Sequence, residues 1–152
     1  MVLEFVRELA EYEQLTHLLS VTEAQLAGEL FGPGSNVEAL LGCCGTGPAA
    51  FAVYFHNFST FLGRKGLYLE DLFVRPSYRR RGYGRAMLIE LARIAHERGC
   101  GRFEWTVLDW NQTAIDFYRS MGADLLEEWR ICRIAGPALE RLAGAAPLSD
   151  SP

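Results

Sequence analysis

The stretch that decides the fold runs from residue 72 to residue 92: Leu72-Phe73-Val74-Arg75-Pro76-Ser77-Tyr78-Arg79-Arg80-Arg81-Gly82-Tyr83-Gly84-Arg85-Ala86-Met87-Leu88-Ile89-Glu90-Leu91-Ala92. An apolar run ends in Arg75-Pro76, a basic and glycine-bearing turn follows, and apolar residues then recur at helical spacing. The pattern is strand, turn, helix. A helix start presents N–H groups without intrahelical partners and the positive end of the helix dipole, which together suit a phosphate. Gly82 and Gly84 let a ligand approach the backbone closely, and Arg79, Arg80 and Arg81 add charge that packing does not require. The plainer alternative is a solvated basic turn with a glycine starting the helix; the strand–turn–helix context favours phosphate. The turn has neither the G-x-x-x-x-G-K-[ST] of a P-loop nor the complete G-x-G-x-x-G of a dinucleotide site.

Outward from this turn the elements alternate. Leu3, Val6, Leu9 and Ala10, with Glu4, Arg7, Glu8 and Glu11 between them, predict an amphipathic helix, and Thr22 with Gln25 predicts the capping box of a second. Val37–Cys44 and Ala49–Asn57 read as a hairpin joined through Gly45-Thr46-Gly47-Pro48, and residues 58–66 as an aromatic loop. Leu67–Val74 is a third strand, residues 82–98 a helix stopped by Gly99, and residues 102–108 a fourth strand. Asn111 caps a short helix ending at Gly122; a last strand is expected over residues 129–135, then a short helix, with a disordered tail over 144–152. Helices packed on a mixed sheet in one α/β domain, residues 1–143, is the architecture these elements allow.

The 152 residues suffice for one core. A formal charge of −4 argues against nucleic acid as partner, and no apolar stretch has the length of a membrane span. The opening residues are no signal peptide. Cys43, Cys44, Cys100 and Cys132 match no zinc spacing and read as buried, reduced thiols, so a cytoplasmic location is expected, with no metal.

Arg79-x-x-Gly82-x-Gly84 between its strand and helix resembles the acetyl-CoA-binding motif of the GNAT (Gcn5-related) N-acetyltransferase superfamily. The run Asn111-Gln112-Thr113-Ala114-Ile115-Asp116-Phe117-Tyr118, then Met121-Gly122-Ala123, resembles the same family's second signature. ELAEYE, YLEDLFV and EEWR resemble its diamine (spermidine/spermine) and thialysine acetyltransferase branch, and the likeness covers residues 3 to about 143. It implies a GNAT fold, acetyl-CoA as co-substrate, a small cationic amine as acceptor and a homodimer. Members normally open with a strand ahead of the first helix, whereas the sequence here begins inside that helix; either the sheet is expected to lack its first strand or the chain is shortened. Cofactor contacts are implied for Leu72, Phe73, Val74, Arg79, Arg80, Arg81, Gly82, Tyr83, Gly84, Arg85, Asn111, Phe117 and Tyr118. The backbone N–H groups of Leu72 and Val74 would host the acetyl carbonyl and the pantetheine arm.

Acetyl transfer to an amine needs a base for the ammonium proton and an acid for the leaving thiolate. The conjugate thiol's pKa is not far from about 8.5, so a weak acid suffices. Tyr118, seven residues after Asn111 on one helix, matches the family's general acid; without that match it would read as a core tyrosine. Glu70 and Asp71 interrupt an apolar strand, where ionised carboxylates are costly unless paired or used. Neighbours on a strand face opposite sides, so a bulge is needed for both to serve one site. Glu70 is expected to take the amine proton through water and Asp71 to hold the cation; salt bridges to arginines are the alternative. Glu128 and Trp129 match the acidic-aromatic lining of the amine pocket, with a solvated turn as the competing reading. The loop with Ser59, Thr60 and Phe61 lacks the acidic residue of polyamine-specific members and resembles the thialysine type, which implies a lysine-like amino acid or short diamine. Acetylation of a protein lysine or N-terminus, and a non-catalytic acyl-CoA-binding regulator, are the other readings.

Overall fold

The computed structural model describes residues 1–45 and 47–145. The chain groups into two compact units, Met1–Ala114 and Ile115–Pro152. The first opens with helix α1 (Val2–Tyr12), a 3₁₀ turn (Thr16–Leu18) and helix α2 (Glu23–Phe31). α2 starts at the expected capping box: the Gln25 N–H donates to the Thr22 hydroxyl at 3.2 Å, and the Gln25 side chain accepts from the Thr22 N–H at 2.9 Å. Strands β1 (Val37–Cys44), β2 (Gly47–Ser59), β3 (Arg64–Val74) and β4 (Arg102–Trp105) form one sheet in that order, with helix α3 (Tyr83–Glu97) between β3 and β4. β1, β2 and β3 run antiparallel and β4 lies parallel to β3. The fold class is the α/β mixed sheet read from the sequence, and among the described residues no strand covers the outer edge of β1.

Side-chain size decides which helix covers which face. On one face Phe51, Val53 and Phe73 pack with Phe5 and Leu9 of α1. Phe5 and Phe51 are fully buried and stack at 5.1 Å between ring centroids. The opposite face carries Ala50, Ala52 and Gly42, small residues that admit α3; a Cβ on Gly42 would stand 3.1 Å from the Met87 sulfur. Arg75 fastens α1 to the end of β3. Its guanidinium pairs with Glu8 at 2.7 Å and Glu4 at 2.5 Å, donates to the Pro48 carbonyl at 3.1 Å and lies 4.3 Å above the Phe5 ring.

The 58–66 segment is less of a loop than expected, because β2 extends to Ser59 and β3 begins at Arg64, leaving a tight turn. Strand β4 is shorter than expected and ends at Trp105. The four cysteines form no disulfide, and none is buried: Cys43 is exposed and Cys44 half-buried on the edge strand β1, Cys100 is half-buried and Cys132 exposed. Thr46 of the hairpin connection and, from residue 146, the expected tail lie outside the described residues. Among the described residues no helix is long and apolar enough to cross a membrane.

Helix α4 (Gln112–Ser120) runs from the first unit into the second, which also holds helix α5 (Pro137–Ala143). The strand expected over residues 129–135 does not form; the segment is coil. A strand exists only where a second backbone completes its ladder, and alternation in sequence supplies no partner.

Because Phe51 is buried and ring-stacked, Phe51→Ala should lower unfolding free energy by about 3–5 kcal/mol. Urea titration followed by tryptophan fluorescence checks this.

Candidate active site

The site grows out of a single irregularity in β3. Val53 of β2 pairs with Asp71, but the next residue, Tyr54, pairs with Leu69, so Glu70 is an extra residue without a partner across the ladder. This is a β-bulge, the one that the adjacent carboxylates call for. It resets the alternation of the strand. Leu69, opposite Tyr54, points to the α3 side, whereas Asp71, opposite Val53, joins Phe73 on the α1 side. The Tyr68 ring packs tilted against Phe55 at 5.1 Å, on that same α1 side, so Glu70, two residues on, comes to it as well. Both carboxylates therefore share one face, Glu70 exposed and Asp71 half-buried.

Glu13, which caps the C-terminal end of α1, belongs to this group although the sequence did not single it out. Burial raises the Asp71 pKa, and the charges of Glu70 and then Glu13 raise it further, to about 6. Burial also raises the Glu13 pKa. The signal for Glu13 was its place at the end of ELAEYE, but only the packing of α1 on β3 brings it to the strand carboxylates.

The second feature is the parting of β3 from β4. β4 pairs with β3 only from Gly66 to Leu69. From Glu70 to Val74 no strand among the described residues lies against the outer edge of β3, so a wedge opens beside Leu72, Phe73 and Val74. The arginine turn stands at the end of this edge. Gly82, at φ 86°, adopts the left-handed conformation and leads into α3 without a side-chain cap. Arg80 also has positive φ, at 60°, a conformation uncommon for a residue with a side chain. Among the described residues Arg79, Arg80, Arg81 and Arg85 have no carboxylate partner. An uncapped helix start, a left-handed glycine and four arginines without a carboxylate partner among the described residues stand beside an open strand edge, an arrangement that suits a phosphorylated ligand.

Asn111 caps α4 as the sequence predicts, its side-chain oxygen accepting from the Ala114 N–H at 3.3 Å. Ser59 and Phe61 are not brought to the carboxylates. Glu70 lies six positions along β3 from Arg64, the partner of Ser59, about 20 Å of strand. The Ser59 hydroxyl is buried and accepts from the Leu62 N–H at 3.2 Å, and Phe61 is 98% exposed. In the second unit Phe117 and Tyr118 are ring neighbours on α4, with centroids 5.4 Å apart, and Glu128 and Trp129 are exposed in coil.

Residues 5–123 match the acetyltransferase (GNAT) family. L-ornithine N5-acetyltransferase of Arabidopsis thaliana is 33% identical, over 91% of this chain and 81% of its own. Thialysine N-epsilon-acetyltransferase of Sus scrofa is 36% identical, over 94% of this chain and 90% of its own. A solved integron cassette protein from the mobile metagenome of V. cholerae superposes with a TM-score of 0.76 at 32% identity, covering 91% of this chain and 86% of that one.

The raised Asp71 pKa carries a stability consequence. The folded chain binds this proton more tightly than the unfolded chain, whose carboxyl titrates near the ordinary 3.8. The stabilisation is complete below that value and is lost as pH rises through about 6. Asp71→Asn should therefore stabilise the protein at pH 7.5, by about 2 kcal/mol after allowance for partial exposure, and the gain should vanish at pH 4. Thermal melts of both proteins across pH 4–8 test this; a gain independent of pH would place the cause elsewhere.

Proposed function

The chain belongs to the acetyltransferase (GNAT) family, and on that premise we propose that it acetylates the primary amine of a small cationic molecule, a lysine- or ornithine-like amino acid or a short diamine. The observation that carries this reading is the carboxylate pair on the β3 bulge beside the wedge, with Glu13 adjacent. A cationic amine is what such a group of carboxylates selects, since its charge relieves their mutual repulsion. Two relatives that match over nine tenths of this chain are named for ornithine and for thialysine, which supports an amino-acid-like acceptor.

Acetyl-CoA supplies the acetyl thioester. Its phosphates suit the N–H groups of Tyr83, Gly84 and Arg85 and the guanidinium groups of Arg79, Arg80, Arg81 and Arg85; its amide-bearing arm suits the free edge of Leu72, Phe73 and Val74. Asn111 and Phe117 complete the contacts that the family resemblance implies. Within this scheme Asp71 and Glu13 hold the cationic amine, and Glu70, exposed at the bulge, accepts the ammonium proton through water. Tyr118 donates the proton that the departing thiolate needs, the role implied by its place in the second signature. Glu128 and Trp129 line the acceptor's path in the same scheme, an aromatic face and a carboxylate suiting a cation.

The test is thiol release from acetyl-CoA with thialysine, lysine, ornithine, putrescine, spermidine and a lysine-containing peptide as acceptors. Thialysine or ornithine should give the highest kcat/KM. Turnover confined to the peptide, or none despite acetyl-CoA binding, would sink the reading. Activity should fall as pH drops through about 6, where Asp71 becomes protonated, and Asp71→Asn should remove that limb of the profile. Tyr118→Phe should lower kcat about 10²-fold with acetyl-CoA affinity little changed; equal kcat would refute the general-acid role.

A further inference from the structure

One aromatic side chain ties together parts of the first unit that the sequence kept far apart. Tyr12, the last residue of α1, packs its ring 6.2 Å from the Phe73 ring on β3 and 6.1 Å from the Trp110 ring after β4. Its hydroxyl stands 3.5 Å from the side-chain oxygen of Asn111. Tyr12 thus spans from one lip of the wedge to the other, at the level where β3 has lost its neighbour.

The same ring holds the arginine that opens the phosphate-binding turn. The Arg79 guanidinium carbon lies 4.6 Å from the Tyr12 ring centroid and 5.5 Å from that of Phe73. The Arg79 Nε donates to the Val74 carbonyl at 3.0 Å. Arg79 is therefore folded back on the end of β3, with its terminal nitrogens left over. Glu8, Glu11, Tyr12, Phe73, Pro76 and Arg79 line a cavity of about 360 Å³ at this point. Glu8 is engaged by Arg75, and no carboxylate in the cavity wall pairs with Arg79 among the described residues. The aromatic face, not an ion pair, fixes this guanidinium.

We propose that Tyr12 is a positioning residue for acetyl-CoA: it clamps Arg79 against the end of β3 and braces the two lips of the wedge, so that the turn and the open strand edge are held at one separation before the cofactor arrives. This rests on the reading of the wedge as the acetyl-CoA site. An arginine side chain has many rotamers, and a turn containing a residue at positive φ is not self-supporting. The ring removes that freedom in advance, which lowers the ordering cost at binding. The brace acts on the turn that receives the cofactor, so its loss should appear in acetyl-CoA affinity.

Calorimetric titration of the full chain with acetyl-CoA, joined to steady-state kinetics, tests this. Tyr12→Leu should weaken acetyl-CoA binding by about five- to tenfold, raise its KM alike, and leave kcat within about twofold. Tyr12→Phe keeps the ring over Arg79 and should bind within about twofold of the wild type. In a cycle with Arg79→Met, the Tyr12→Leu loss should largely disappear, because its partner is gone. Unchanged affinity in Tyr12→Leu, or losses that add in the double variant, would overturn the clamp while the functional reading stands. A wild-type chain that bound no acetyl-CoA would overturn both.

Discussion

A strand that is hydrogen-bonded along one edge for its whole length, and along the other for only part of it, must find other partners for the backbone groups left over. β3 is such a strand. β2 follows it from Arg64 to Val74, while β4 accompanies it only from Gly66 to Leu69 and then turns away. Three features of the proposed site stand at or beyond the point of parting: the bulge at Glu70, the outer edge of Leu72–Val74, and the arginine turn. At that edge the Val74 carbonyl accepts from the Arg79 Nε at 3.0 Å, and an extended amide-bearing ligand suits backbone groups of this kind.

Holding a half-paired strand straight requires anchorage from elsewhere. The stacked Phe5 and Phe51 rings set α1 on the sheet, and Arg75, immediately after β3, reaches across to Glu4 and Glu8 of α1 and to the Pro48 carbonyl. Three elements are joined at the strand's end by one guanidinium. Such a half-buried, multiply bonded arginine differs from the surface pairs on α3, where Arg93 meets Glu90 and Glu97 in water and contributes little. The acidic residues of α1 thus serve two ends: Glu4 and Glu8 hold the scaffold, and Glu13 joins the carboxylates of the strand.

The carboxylates are an unfavourable local arrangement kept by the surrounding packing. Burial disfavours the charged form of Asp71, and the charges of Glu70 and Glu13 add to the cost, which is why Asp71 is held near 6. A chain that selects a cation gains from this tension, because the ligand's charge removes a repulsion that the empty site must bear.

Much of this was legible in the sequence, because it depends on local rules. The capping box at Thr22 and Gln25, the Asn111 cap, the four paired strands and the glycine turn at Gly82 follow from neighbouring residues, and the need for a bulge followed from two adjacent carboxylates in an apolar run. What the sequence did not determine depends on partners distant along the chain. Alternation over residues 129–135 suggested a strand, yet no ladder forms there. Ser59 and Phe61 matched a substrate loop by position, yet lie about 20 Å of strand from Glu70. Glu13 and Tyr12, ordinary helix residues in sequence, meet β3 only because α1 packs across it. Local propensity and residue chemistry are written in the order of the chain; which backbone pairs with which, and which charge is buried beside another, is settled only when the chain closes on itself.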